Sequence, residues 1–220
     1  MTRTPEASRQ FLTLLPEMPA LISPLLKIET LSPPPPDGPI SVAFTSANAV
    51  RAFATLRSPD NEVAYCVGQR TAAEAAKAGY KPISADGAVE DLAHLICRTK
   101  PDQSLIYPCG RTRAGDLPQL LADCGIISTV LEVYDQVPQR LSQEALDLLR
   151  GPSPVIVPLF SPRTARVASA QMMGGTAPIW AIFMSQNVAA AWAGPRPSRS
   201  SVASRPDSEA MAASIRMFLA

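Results

Sequence analysis

Short apolar runs that end in hydroxyl residues and turn at once into helical patterns recur along this chain, and that alternation constrains its fold more than any other feature. The sharpest instance is Ser41 to Phe53, S-V-A-F-T-S-A-N-A-V-R-A-F. Val42, Ala43 and Phe44 read as a buried strand, while Val50, Phe53 and Ala54 recur at helical spacing. Thr45 and Ser46 therefore fall at the carboxyl end of a strand, the place where open α/β sheets bind their ligands. The plainer reading of the same residues is an N-cap, with Ser46 or Asn48 accepting a bond from a free N–H of the helix's first turn.

The pattern has an echo. Leu159 to Ala165, L-F-S-P-R-T-A, follows the apolar run Val155 to Val157, so that Ser161 answers to Ser46. Gly68-Gln69-Arg70-Thr71-Ala72 is answered by Ser185-Gln186-Asn187-Val188-Ala189, and Glu90 by Glu209, at a nearly constant offset. Two similarly built halves are expected from such self-similarity.

Between these landmarks, strands are predicted at Val42 to Phe44, Val63 to Val67, Pro82 to Ser84 and Ser104 to Tyr107, with helices at Asn48 to Leu56, Thr71 to Lys77, Val89 to Arg98 and Leu117 to Cys124. The last part continues with helix Gln143 to Leu149, strand Val155 to Phe160, helix Thr164 to Met172, strand Ile179 to Met184, helix Val188 to Ala193, strand Ser201 to Ala203 and helix Ser208 to Leu219. Such alternation calls for parallel sheets covered on both faces. Near the amino terminus a helix is expected at Ser8 to Leu15, with only Met1 to Thr4 ahead of it, so that its strand is either a stub or begins upstream of Met1.

Ile127 to Val137 is long for one strand, and Leu25 to Leu31 alternates like an exposed extended segment. Paired side by side, the two form a bridge between lobes. The fold class is thus α/β, with two parallel-sheet lobes and flanking helices joined by a two-stranded ladder, the second lobe inserted into the first. The expected division is residues 1–31 with 136–220 for the first lobe and 32–135 for the second, with linker strands near 25–31 and 130–137.

Composition narrows the setting. A formal charge of +1 gives no basic face for nucleic acid or an acidic membrane. Ala177 to Gly194 is interrupted by Ser185, Gln186 and Asn187 and is too short to span a bilayer, and Met1 to Leu15 carries Glu6 and lacks the apolar core of a signal peptide. His94 is the only histidine, and Cys66, Cys97, Cys109 and Cys124 form no C-x-x-C pair, so no metal site is expected. Cys97 and Cys124 sit on apolar helical stripes and are assigned to core packing, as reduced thiols in a cytoplasmic protein.

Several short motifs together resemble the uroporphyrinogen-III synthase family over most of the chain: Thr2-Arg3 before Pro5, Pro24-Leu25-Leu26-Lys27-Ile28-Glu29, F-T-S-A-N-A-V at Phe44 to Val50, V-G-Q-R-T-A at Val67 to Ala72, P-C-G at Pro108 to Gly110, V-Y-D-Q-V-P at Val133 to Pro138, and F-S-P at Phe160 to Pro162. The resemblance implies a lyase of two α/β lobes with the active cleft between them. It implies closure of the linear tetrapyrrole hydroxymethylbilane, with inversion of ring D and loss of water, to give uroporphyrinogen III in haem biosynthesis. No metal or organic cofactor is implied, and a monomer without nucleic-acid or membrane partners is expected.

The substrate's eight carboxylates suit helix N-termini, whose free N–H groups receive anions. On the resemblance, Thr45, Ser46, Gly68, Gln69, Gly110, Arg111, Ser161, Ser185 and Arg3 are assigned to substrate binding, with Arg70, Arg113 and Arg163 as further cations. Tyr134 is the first catalytic candidate, as a hydrogen-bond or proton donor to the departing hydroxyl, and Thr71 the second. A tyrosine packed in the ladder is the plainer reading of Tyr134. Val188 stands where many family members carry a threonine, which brings in an alternative: a non-catalytic, two-lobed tetrapyrrole-binding protein. A nucleotide- or phosphate-binding enzyme using Gly110 to Asp116, G-R-T-R-A-G-D, is a further rival that lacks the P-loop pattern.

Overall fold

In the computed structural model, which describes residues 1–113 and 115–219, Ile40–Phe44 is a strand buried along its whole length. A strand apolar on both faces requires helices on each side of its sheet. The chain builds that arrangement in two compact units, Ile28–Gln136 and Met1–Lys27 with Val137–Ala220. After α1 (Pro5–Leu12), it passes from one unit to the other within β1 (Leu26–Thr30) and returns within β6 (Ser128–Pro138).

Between those two strands lie β2 (Ile40–Phe44), α2 (Ala47–Leu56), β3 (Val63–Cys66), α3 (Gln69–Ala78), β4 (Lys81–Ser84), α4 (Val89–Thr99), β5 (Ser104–Gly110) and α5 (Leu117–Ala122). The strands form one six-stranded sheet in the order β1-β6-β5-β2-β3-β4. β2 pairs in parallel with β3 through Val42 and Ala64, and with β5 through Val42 and Ile106. Val50 and Phe53 of α2 and Ala72 and Ala75 of α3 join Val42 and Phe44 in a core on one face. Leu92 and Ile96 of α4 and Leu117 and Leu121 of α5 join Ala43 and Tyr107 on the other. Alternate side chains of a strand point to opposite faces, so one β-strand feeds both cores.

The other unit continues with α6 (Gln143–Arg150), β7 (Val155–Leu159), α7 (Pro162–Gln171), β8 (Ile179–Phe183), α8 (Gln186–Ala190), β9 (Arg199–Val202) and α9 (Ser208–Leu219). Its sheet has the parallel order β7-β8-β9. α6, α7 and α8 cover one face through Leu149, Ala168 and Val188, while α1 and α9 cover the other through Phe11 and Met211.

Three details differ from the sequence expectation. The first helix starts at Pro5 rather than Ser8, because a proline's fixed φ and missing N–H suit the first helical position. The last strand is Arg199–Val202 rather than Ser201 to Ala203. The third concerns cysteine: Cys97 and Cys124 are not reduced core residues but a disulfide, with Cα atoms 6.1 Å apart. α4 and α5 lie side by side on one face of the sheet, so Cys97 of α4 meets Cys124 in the turn that follows α5. Cys66 and Cys109 are buried and free, and burial pushes the Cys66 thiol up to about 12, leaving it protonated and inert.

The disulfide closes a loop of sequence separation 27, which by loop entropy stabilises the fold by about 3.5 kcal/mol. Guanidinium unfolding with and without reductant should show that loss in the wild type and none in Cys97→Ser. Equal midpoints for oxidised and reduced wild type would remove the bond from the stability of this unit.

Candidate active site

Strand order reverses at β2. β3 lies on one side of it and β5 on the other, and the helices that follow β2 and β5 pack on opposite faces of the sheet. Chains that leave adjacent strand ends in opposite directions open a crevice at the carboxyl edge. Thr45 and Ser46 occupy that edge after β2, and Gly110 and Arg111 occupy it at the end of β5.

Two hydrogen-bonded pairs of hydroxyl side chains stand there. Ser46 Oγ and Tyr134 OH are 3.2 Å apart, and Thr45 Oγ1 and Tyr107 OH are 3.2 Å apart. Ser46 also caps α2, accepting from Ala49 N–H at 3.1 Å, so the plain N-cap role and the site role belong to one side chain. The cap fixes the Ser46 hydroxyl where Tyr134 meets it. Both phenols are buried, Tyr134 to 5% exposure, whereas Thr45 and Ser46 are only half-buried. Burial pushes the Tyr107 phenol up, partly opposed by its bond to Thr45 and by the charge of Arg113. Tyr107 thus remains a protonated donor across the neutral range.

Gly110 lies against an aromatic ring. A Cβ there would lie 2.7 Å from both Cε2 and Cζ of Tyr134 and 3.0 Å from its hydroxyl. The absent side chain is the seat of the phenol ring. Arg111 N–H donates to Tyr134 C=O at 3.1 Å, which ties the ends of β5 and β6 together beside that seat. The Arg111 guanidinium, well exposed, lies 3.4 Å from Asp135 and 3.6 Å from Glu132, long contacts in solvent that contribute little to stability.

Gly68 is the N-cap of α3 and offers no side-chain cap; its C=O accepts from Thr71 N–H and Ala72 N–H, each at 3.0 Å. Gln69 instead donates its side-chain amide to Asp86 at 2.7 Å. Thr71 is buried in the first turn of α3 and is not one of the four side chains joined in the hydroxyl pairs. Arg70 and Arg113 are exposed. Of the G-R-T-R-A-G-D turn, Ala114 lies outside the described residues.

In the other unit Ser161 caps α7, accepting from Thr164 N–H at 3.1 Å with Thr164 Oγ1 at 2.8 Å. Ser185 is the N-cap of α8 without a side-chain bond, and Val188 is packed in the core. The Arg3 guanidinium stacks on Phe160, 4.5 Å from the ring centroid. Among the described residues no cluster of His, Cys, Asp or Glu is arranged to hold a metal ion.

Sequence reasoning missed Tyr107 and the seating role of Gly110. A phenol in an otherwise apolar strand, two-faced in its burial, is a usable signal for the first, because its hydroxyl needs a partner. The second follows only from the register of β5 against β6, where Gly110 lies opposite Tyr134 across an irregularity in the ladder.

The family model described as uroporphyrinogen-III synthase HemD matches residues 18–213. The chain belongs to the uroporphyrinogen-III synthase family. Membership makes it one of a family of cyclising lyases of haem biosynthesis that act on a tetrapyrrole. Among solved structures it is similar to the uroporphyrinogen-III synthetase of Helicobacter pylori 26695, at 18% identity and TM-score 0.63 over 89% of this chain and 91% of that one. It is also similar to a mutant uroporphyrinogen III synthase of the extremely thermophilic bacterium Thermus thermophilus, at 16% identity and TM-score 0.46 over 97% and 95% of the two chains. The first of these likenesses agrees with the α/β fold described above. No described helix is long and apolar enough to cross a membrane.

Seating of the phenol by Gly110 has a measurable consequence. Gly110→Ala should destabilise the protein by about 1–3 kcal/mol while Tyr134 is present, as overpacking does, and by much less in a Tyr134→Ala background. Equal costs in the two backgrounds, measured by chemical denaturation as a double-mutant cycle, would show that the ring does not depend on this glycine.

Proposed function

We propose that this member of the family closes hydroxymethylbilane to uroporphyrinogen III with the Ser46–Tyr134 pair as its proton-donating group. The observation that supports this is the bond at 3.2 Å between the two hydroxyls at the mouth of the β2–β5 crevice. Ser46 Oγ already accepts from Ala49 N–H. When the Ser46 hydroxyl in turn donates to the phenol oxygen, the Tyr134 proton is free to point at a departing oxygen. That donor aids rupture of the ring A hydroxymethyl C–O bond, and the hydroxyl leaves as water. The electrophile so formed is attacked by ring D at its substituted carbon, and the spiro intermediate fragments and recloses with ring D turned over. In fragmentation the bond between the ring C methylene bridge and that substituted carbon breaks, and the bridge rejoins ring D at its unsubstituted α-carbon, whose proton is released and restores the donor, so no oxidant or reductant enters.

Binding falls to the strand-end loops. Thr45, Ser46, Gly68, Gln69, Gly110 and Arg111 of one unit, and Ser161, Ser185 and Arg3 of the other, are proposed to receive substrate carboxylates through backbone N–H groups, hydroxyls and guanidinium. Gln69 and Arg111 reach it by exchanging their contacts to Asp86 and Asp135. Thr71 is retained as a second catalytic candidate. The protein is proposed to act as a cytoplasmic monomer, without nucleic acid. Val188 packs in the core, so its lack of a hydroxyl has a structural reason and gives no ground for a merely binding role.

Supplied with hydroxymethylbilane, the protein should give the type III isomer, separable from the type I isomer that forms spontaneously. Type I alone would overturn the assignment. Tyr134→Phe should lower kcat by about 10²-fold, within the range for a positioned proton donor, with the thermal midpoint little changed. Unchanged turnover would remove the phenol from the chemistry.

A further inference from the structure

The two hydroxyl pairs at the carboxyl edge of the six-stranded sheet lie on opposite faces of it. Tyr134 belongs to the core shared with α2 and α3, and Tyr107 to the core shared with α4 and α5. Their partners follow from the alternation of β2, in which Phe44 turns to the first core and Ala43 to the second. Continued past the strand, that alternation carries Ser46 to Tyr134 and Thr45 to Tyr107, each at 3.2 Å. The reaction proposed above uses the phenol of the first pair alone. A phenylalanine at position 107 would fill the second core as well, without a hydroxyl to desolvate, so the Tyr107 oxygen calls for a reason of its own.

A hydroxyl pair has one bond between two protons, and one proton must point elsewhere. Burial decides which. Tyr107 is 2% exposed, whereas Thr45 is half-buried at the crevice edge. Among the described residues, Thr45 is the hydrogen-bond partner of the Tyr107 hydroxyl. Were Thr45 the donor, the phenol proton would stay in the core without an acceptor, at the full cost of a buried unsatisfied group. With Tyr107 as the donor that proton is satisfied, and the Thr45 proton turns to the crevice. A phenol is also the more acidic of the two hydroxyls, hence the better donor. Ser46 differs, because its oxygen already accepts from Ala49 N–H, while among the described residues the Thr45 oxygen has only the phenol to accept from. The two pairs therefore run in opposite senses: one ends on a phenol, the other on an aliphatic hydroxyl.

A hydroxyl so directed is set for an acceptor. Donation from the phenol polarises the Thr45 O–H and strengthens the bond it makes outward. The charge nearby has the matching sign: Arg113, exposed after β5, is close enough to oppose the upward shift of both Tyr107 and Cys109. A carboxylate takes a hydroxyl proton and a guanidinium together, in the stronger, charge-assisted kind of hydrogen bond.

We infer that Tyr107 is a positioning residue for substrate binding: its buried phenol donates to Thr45 Oγ1 and so holds the Thr45 hydroxyl as a donor to one carboxylate of the tetrapyrrole. Tyr107 touches no substrate atom and acts through Thr45 alone. The inference rests on the reading of Thr45 as a binding residue, and it assigns the second pair to binding where the first serves proton donation.

The test compares the full chain with Tyr107→Phe, Thr45→Val, Thr45→Ser and the double variant of Tyr107→Phe with Thr45→Val. With hydroxymethylbilane, Tyr107→Phe should raise KM about 3- to 10-fold, the weight of one hydrogen bond, with kcat moving by less than about twofold, the pattern of lost uniform binding. Thr45→Val should raise KM at least as much, and Thr45→Ser, which keeps the hydroxyl, should restore it. Once Thr45 is Val, Tyr107→Phe should cost nothing further. Binding of uroporphyrinogen III, kept reduced without oxygen and followed by equilibrium dialysis, should weaken by the same factors and needs no turnover. An unchanged KM and dissociation constant in Tyr107→Phe would overturn the inference. So would equal costs of Tyr107→Phe in the two Thr45 backgrounds, the mark of a residue that only packs. A wild type that yields only the type I isomer would sink the catalytic reading, and the dialysis series would still decide this one.

Discussion

Burial of β2 on both faces is the constraint from which the inserted unit follows. Ile40, Val42 and Phe44 are held by α2 and α3, Ala43 by the opposite core. A strand buried on both faces gains hydrophobic stabilisation twice per pair of residues, but its backbone is satisfied only if both neighbours are strands. With β3 on one flank and β5 on the other, the helices after β2 and β5 must part to opposite faces. The polar residues Thr45 and Ser46, which have no place in such a core, are thereby left at the only end of the strand where a crevice opens.

The same economy of position governs the chemistry. Ser46 ends the strand, caps the helix and hydrogen-bonds the phenol that the reaction is proposed to use. Loss of any one of these roles disturbs the others, because a single hydroxyl serves all three. Gly110 contributes by what it lacks: the space that a methyl group would fill is taken by the Tyr134 ring. The second pair, Thr45 with Tyr107, is more deeply screened from solvent on its phenol side and supplies rigidity, a neutral hydrogen bond whose alternative is a buried hydroxyl without a partner.

The two units use one plan with sheets of different size. Each has parallel strands between two helical layers and a serine-capped helix at a strand end, Ser46 in one and Ser161 in the other. In the inserted unit the plan is filled by a six-stranded sheet. In the other, the sheet of the described residues has three strands. Val188, read from sequence as a lost hydroxyl, is a core residue of that second unit. There the helix after Ser185 is short, with Gln186 and Asn187 exposed and Val188 turned to the core, so an apolar side chain suits that one position.

Residue order alone determined the alternation of strands and helices, the serine caps and the long strand near residue 130, because each rests on contacts within a few positions: period-2 or period-3.6 apolar spacing and an N-cap hydroxyl. It also carried the family, through motifs that sit at strand ends. What it left open depends on neighbours distant in sequence. Tyr134 meets Ser46 only because β6 pairs with β5 and β5 with β2. Gly110 faces the phenol ring only through a ladder irregularity at Cys109. Cys97 and Cys124 are bonded only because α4 and α5 share a face of the sheet. Local spacing gives each side chain its element and its face; which side chains then touch is decided by strand order and register, and those exist only once the sheet has formed.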